Sequence, residues 1–201
     1  MAKQRAFTVI ELLTAGTIGI VVATVVGYGI VQGWRAFLNQ QDQSELDRAN
    51  RSTINQIETQ ARGATGVIPA VTIAGTLYQS DATDVVLHLT PIDSAGNFLT
   101  TGDDYLVFRL RPTTTDTVEE MLLPDPASAR LNWPSPVTLN SLSTQFQVRY
   151  FTAGGTELIP GTDDLSASAQ LTVTSQLGKT GALGNNSQTL STNIFFRNKT
   201  T

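Results

Sequence analysis

Lys3-Gln4-Arg5-Ala6-Phe7-Thr8-Val9-Ile10-Glu11-Leu12-Leu13 opens the segment that sets the architecture of this chain. Glu11 is the only charged side chain between Arg5 and Arg35, and residues 12–34 run for 23 positions without a charge. As a helix that run is about 35 Å long at 1.5 Å per residue. It exceeds the roughly 30 Å of a bilayer's hydrocarbon core. A carboxylate inside such a segment costs roughly 2.5–3.5 kcal/mol on insertion scales, so its retention asks for a reason.

Four readings compete for residues 1–34. A secretory signal peptide has an apolar core of about 7–15 residues ending at a small-residue cleavage site. This run is longer, carries an acid at its front and lacks such a site. A plain signal anchor explains the length and the basic leader but leaves Glu11 without a role. A buried helix of a soluble domain fits poorly, because the run is apolar on every face. Lys3 and Arg5 ahead of the run place the leader in the cytoplasm and the bulk of the chain outside.

The fourth reading rests on a resemblance. Phe7-Thr8-Val9-Ile10-Glu11-Leu12-Leu13 resembles the start of type IV pilins and pseudopilins. The resemblance implies cleavage by prepilin peptidase between Ala6 and Phe7, and N-methylation of Phe7 as the new first residue. Family members usually carry Gly where this chain has Ala6. Glu11 becomes the fifth mature residue, the position whose carboxylate in the family pairs with the terminal amine of a neighbouring subunit. Two charges that are costly apart then compensate each other in an apolar setting. The bland alternative is that Glu11 lies at the membrane interface and reaches water. The implied partners are other pilin or pseudopilin subunits, the prepilin peptidase and an inner-membrane assembly platform. The implied location is the cytoplasmic membrane, single-pass, and then a pilus or pseudopilus in the periplasm or at the surface.

The same helix continues past the span. Phe37, Leu38, Leu46, Ala49, Thr53, Ile54, Ile57 and Ala61 recur at spacings of about three and four, which predicts an amphipathic helix. Gly63, Gly66 and Pro69 are its stop signals. The expected organisation is a leader over 1–6, a membrane and filament-core helix over 7–34, its amphipathic continuation over 35–66 and a β-rich head over 67–201. Gly16, Gly19, Gly27, Gly29 and Gly33 weaken an isolated helix, by up to about 1 kcal/mol each. They also admit close helix contacts in a filament core.

Beyond Gly66 short alternating segments predict strands. Val85, Leu87 and Leu89 alternate with Val86, His88 and Thr90; Leu106, Phe108 and Leu110 oppose Arg109 and Arg111. Residues 117–123 read as a hairpin partner, and Phe146, Val148 and Tyr150 as a further strand. Leu171, Val173 and Leu177 precede a Gly/Asn-rich loop over 178–187, and Leu190, Thr192, Ile194 and Phe196 mark the last strand. The fold class is therefore α+β, a long helix packed on antiparallel sheet, and with the resemblance, pilin-like. Residues 139–155 and the ending Asn193-Ile194-Phe195-Phe196-Arg197-Asn198 are similar to J-type minor pseudopilins of type II secretion. They are similar also to that group's counterparts in type IV pilus and competence systems. Major pilins of the family commonly have a proline matching Tyr28 and a C-terminal disulfide. This chain has neither at Tyr28 nor any cysteine, which favours a minor subunit over a major one.

Composition narrows the chemistry. The formal charge is −4, and losing Lys3 and Arg5 with the leader leaves 11 basic against 17 acidic residues, a formal −6. That balance argues against direct capture of nucleic acid, which needs clustered Lys and Arg. The single histidine, His88, has no catalytic motif around it and reads as a strand residue facing solvent or a polar partner. Gly161-Thr162-Asp163-Asp164 is the best-placed loop for calcium, with Asp163 and Asp164 as ligands; a solvated turn is the default reading. No phosphate-binding or dinucleotide motif is present. The expectation is a structural subunit with no catalytic residues, no cofactor and no other metal site. From another class, the alternative is a signal-anchored periplasmic or surface binding domain with no filament role.

Overall fold

The computed structural model describes residues 8–111, 113–114, 116–131, 135–181 and 184–196. Helix α1 (Val9–Ala61) runs unbroken for 53 residues, about 80 Å. It ends where the Arg62 N–H donates to the Glu58 carbonyl (3.0 Å) and the Gly63 N–H to the Gln60 carbonyl (3.2 Å). The chain turns at once into β1 (Ala64–Val67), so the strands begin three residues before the expected head boundary and Gly66 lies inside a strand.

Two antiparallel sheets follow. The first has the order β1-β4-β5-β6-β7, with β4 (Asp84–Leu89), β5 (Asp104–Leu110), β6 (Val118–Leu123) and β7 (Val137–Asn140). The second has the order β11-β10-β8-β9, with β8 (Ser143–Phe151), β9 (Glu157–Leu158), β10 (Gln170–Gly181) and β11 (Gly184–Phe195). A small hairpin of β2 (Ala70–Ile73) and β3 (Thr76–Gln79) completes the head. This is α+β architecture, one long N-terminal helix on antiparallel sheet.

The core lies where the C-terminal half of α1 meets both sheets. Ile54, Ile57 and Ala61 are buried in a cluster that includes Val85, Leu87, Leu106, Phe108, Phe146, Tyr150, Leu171, Val173 and Ile194, and Leu46 is fully buried further up the helix. Each large aliphatic side chain buried there contributes roughly 1.5–3 kcal/mol. The phenol of Tyr150 pins two strands, donating to the Asp81 carbonyl (2.8 Å) and the Asp84 carbonyl (2.9 Å). A second, smaller cluster of Val86, Val107 and Met121 packs under Ile68, Val71 and Tyr78. The β2–β3 hairpin thus covers the opposite face of the first sheet. Its turn has Ala74 and Gly75 both at positive φ (50° and 81°), the two-residue turn whose twist matches the strands.

Of the expected loop over 178–187, residues 178–181 and 184–187 are instead strand, and residues 182–183 lie outside the described residues. The β10–β11 ladder continues through Gly178↔Ser187 and Thr180↔Asn185 to Gly181↔Gly184. Lys179 anchors this extension to the helix, its Nζ lying 3.0 Å from Asp42 Oδ1 and 2.7 Å from Glu45 Oε2.

The helix–head contact also contains a polar seam absent from the predicted apolar stripe. Asn50 is fully buried and donates to the carbonyls of Ser175 and Gln188, both at 3.1 Å. Asn140 donates to Thr53 Oγ1 (3.1 Å) and Gln56 to Glu120 Oε2 (2.8 Å). Glu120 is fully buried, and its other oxygen has no partner. Burial pushes this carboxyl above its ordinary range, opposed by the bond from Gln56. The stability tied to a raised carboxyl is present below its unfolded value and is lost as pH rises through the folded value. Glu120→Gln is therefore expected to stabilise the protein at pH 7 by about 1–3 kcal/mol, with the gain vanishing near pH 4. Paired thermal melts at the two pH values check this; equal melting points at pH 7 contradict it.

Candidate functional site

The N-terminal half of α1 and the first turn that caps it form the candidate site. Thr8 has an extended backbone, and its hydroxyl accepts the Glu11 N–H (3.3 Å). The Glu11 carboxylate reaches back to accept both the Thr8 N–H (2.9 Å) and the Thr8 hydroxyl (3.0 Å). This is a reciprocal capping box, which satisfies two of the N–H groups left over at a helix start. It also places an acid in the first turn, where the helix dipole favours negative charge. The spacing Thr8-x-x-Glu11 is the sequence signal for it, and the sequence reading missed it. Ala6 and Phe7, the expected processing positions, lie outside the described residues.

From Val9 onward the helix is bare. Its most apolar 18-residue window has a mean hydropathy of 2.2, and none of that window is buried in the protein. Ile10 is 74% exposed and Trp34 63%. The threonines within the run bond their own helix. Thr14, Thr17 and Thr24 each donate a hydroxyl to the carbonyl four residues earlier, all at 2.8 Å. Hydroxyls that bond their own helix leave no unmet donor towards hydrocarbon. The five glycines of the run have no neighbour within 4 Å of where a Cβ would stand. A helix this long and apolar can cross a membrane once.

The other sequence-predicted positions fall in the head. Asp163 Oδ2 accepts the Ile159 N–H (2.7 Å). Asp164 caps the short 3-10 helix (Leu165–Ala167), accepting the Ser166 N–H (2.9 Å) and hydroxyl (2.8 Å). Each carboxylate thus stabilises its own turn. Among the described residues no three His, Cys, Asp or Glu side chains are grouped to hold a metal ion.

His88 does have polar partners, from parts of the chain that no local motif connects. Its Nδ1 lies 2.6 Å from Thr65 Oγ1, and its Nε2 lies 2.7 Å from Asp103 Oδ1. Tyr105, opposite His88 in the β4–β5 ladder, donates to Asp103 Oδ2 at 3.3 Å. A carboxylate can only accept, so the bond between His88 and Asp103 is donated from Nε2. Thr65 sits in the bulge of β1 between Ala64 and Gly66, the kind of irregularity that re-aims a side chain. The chain of bonds ties β1, β4 and the entry to β5 together on the surface of the first sheet.

Compared with known proteins, the chain matches no family model and no characterised protein.

Proposed function

We propose that this chain is a minor pilin or pseudopilin, a structural subunit held in the cytoplasmic membrane and drawn from it into a short fibre. Phe7 is the processed and methylated terminus, and Glu11 is the charge that sets subunit register. Residues 12–34 serve first as anchor and then as fibre core, and the head meets neighbouring subunits. The observation that carries the reading is a division of labour within α1. One continuous helix leaves its N-terminal half bare and apolar while its C-terminal half is sealed into the head at Leu46, Ile54 and Ile57. An anchor alone needs no rigid continuation into the domain it tethers. A subunit packed by its helix does, because the helix must carry the head at a fixed height.

The capping box supports a second reading, a signal-anchored surface domain in which Glu11 merely starts the helix. The two separate in a fractionation experiment. A fibre subunit is expected in sheared or extracted fibres together with other subunits, whereas an anchored domain stays wholly in the membrane fraction.

A further inference from the structure

The longest open sheet edge in the head lacks the protections that other edges carry. β11 closes one side of the second sheet, and no strand pairs with its outer side among the described residues. Residues 184–196 contain no charge and no proline. The other end strands of the two larger sheets are blunted: β9 has two residues and runs into Pro160, β7 has four and follows Pro136, and β1 has four and a bulge, while β2 and β3 have only four each. Exposed edges are normally shortened, charged or interrupted, because unpaired N–H and C=O groups template pairing with another chain.

The register identifies which groups are open. The Phe196 N–H donates to the Ala169 carbonyl (3.1 Å), one step beyond the pair Gln170↔Phe195. In an antiparallel ladder bonded and non-bonded pairs alternate. Even-numbered residues of β11 therefore bond to β10, while Asn185, Ser187, Thr189, Ser191, Asn193 and Phe195 turn their backbone groups outward. The side chains of those six residues are all exposed, so the face of β11 that they occupy is open to solvent.

We propose that the outer edge of β11 accepts an extended, uncharged segment of a different protein as an added antiparallel strand. Strand direction excludes antiparallel pairing of β11 with β11 of a second copy. Gln188 lies at Asp47 and Asn50, and Thr192 lies at Glu58, so β11 runs the same way as α1. Copies rooted in one membrane therefore carry β11 in one direction and cannot pair it antiparallel with itself. The chain's opposite edge, β9, runs the correct way but offers two residues against an edge of twelve. This choice of occupant rests on the membrane-anchored reading; the competence of the edge does not.

The test is amide hydrogen exchange on the full-length chain in detergent micelles, with an uncharged synthetic peptide copying residues 170–178, which already pairs antiparallel with β11 on its inner side. The N–H groups of Asn185, Ser187, Thr189, Ser191 and Asn193 are expected to slow at least tenfold, with even-numbered neighbours unchanged. Thr189→Pro, which removes only an outward N–H, and Ser191→Lys are each expected to weaken the peptide at least tenfold while the melting point holds. No alternating protection at millimolar peptide overturns the proposal, as does protection of both parities. Protection that rises with chain concentration in the absence of peptide assigns the edge to a second copy and also overturns it. A photo-crosslinker at Ser191 in the native membrane, with one at Thr172 on central β10 as control, reads the occupant. Crosslinks from Ser191 alone to one extended segment of a different chain support the proposal, and crosslinks to this chain contradict it. Loss of fibre incorporation through Glu11 leaves these amides unaffected, so the two failures are distinguishable.

Discussion

Glu11→Gln is expected to leave the chain inserted in the membrane with its helix capped, and to lower its incorporation into fibres by about tenfold or more. The Glu11 carboxylate has two separable jobs. In the isolated chain Glu11 completes a capping box with Thr8, and glutamine serves equally at that position. What glutamine cannot supply is the negative charge. If assembly pairs Glu11 with a neighbour's terminal amine, the variant leaves that cation without its mate, a loss of roughly 3–5 kcal/mol for a buried pair. Glu11→Ala removes both cap and charge, and adds about 0.5–2 kcal/mol of helix-end destabilisation. Comparable loss of fibre incorporation in both variants supports charge pairing. Full incorporation of Glu11→Gln with loss only in Glu11→Ala assigns Glu11 to capping. Quantitative blotting of fibre and membrane fractions reads both outcomes.

The second large effect is on stability. Asp104 is fully buried at the start of β5 and accepts three bonds: from the Asp125 N–H (2.8 Å), the Ser128 hydroxyl (2.8 Å) and Arg130 Nη1 (2.9 Å). Arg130 also donates to the Thr90 carbonyl (2.9 Å), so one ion pair holds the segment after β6 against the end of β4. The fit is tight nearby, where Gly102 at φ 89° leaves the Asp125 carboxyl 2.7 Å from where a Cβ would stand. Asp104→Ala is expected to destabilise the protein by about 3–5 kcal/mol, because Arg130 keeps its charge in a largely buried place. At about 2–4 °C per kcal/mol for a chain of this size, the melting point falls by roughly 6–20 °C. The double variant Asp104→Leu with Arg130→Met is expected to recover most of that loss. A melting point within 2 °C or so of the parent for Asp104→Ala contradicts the assignment.

The helix was legible because its signal is periodic and long. Leu46, Ile54, Ile57 and Ala61 fall on one face whatever follows, and Gly63 stands where the helix stops. Asn50 escaped notice because a polar residue within an apolar stripe reads as an interruption. Its burial depends on carbonyls of Ser175 and Gln188, more than a hundred positions away. The β2–β3 hairpin escaped for a related reason. Val85-Val86-Leu87 and Leu106-Val107-Phe108 are continuous apolar runs, the mark of strands covered on both faces, yet they read as simple alternation. Glycine and asparagine suggest a loop at 178–187, but cross-strand pairing and the Lys179 anchor hold residues 178–181 and 184–187 extended. At the site, the apolar run and its lone acid were plain in the sequence. So was the capping spacing of Thr8 and Glu11, a local pattern passed over for a rarer one. The Thr65–His88–Asp103 chain was not readable, because its members meet only through strand pairing and a bulge.

The central claim is that this helix is a processed polymer-forming element rather than a tether. The mass of the N-terminal peptide of the protein, purified from the membrane of cells that carry a prepilin peptidase, tests it most directly. The account predicts a chain that begins at Phe7 and bears one added methyl group on its amine. A peptide that still contains Lys3 and Arg5, or one that begins after the apolar run, contradicts it.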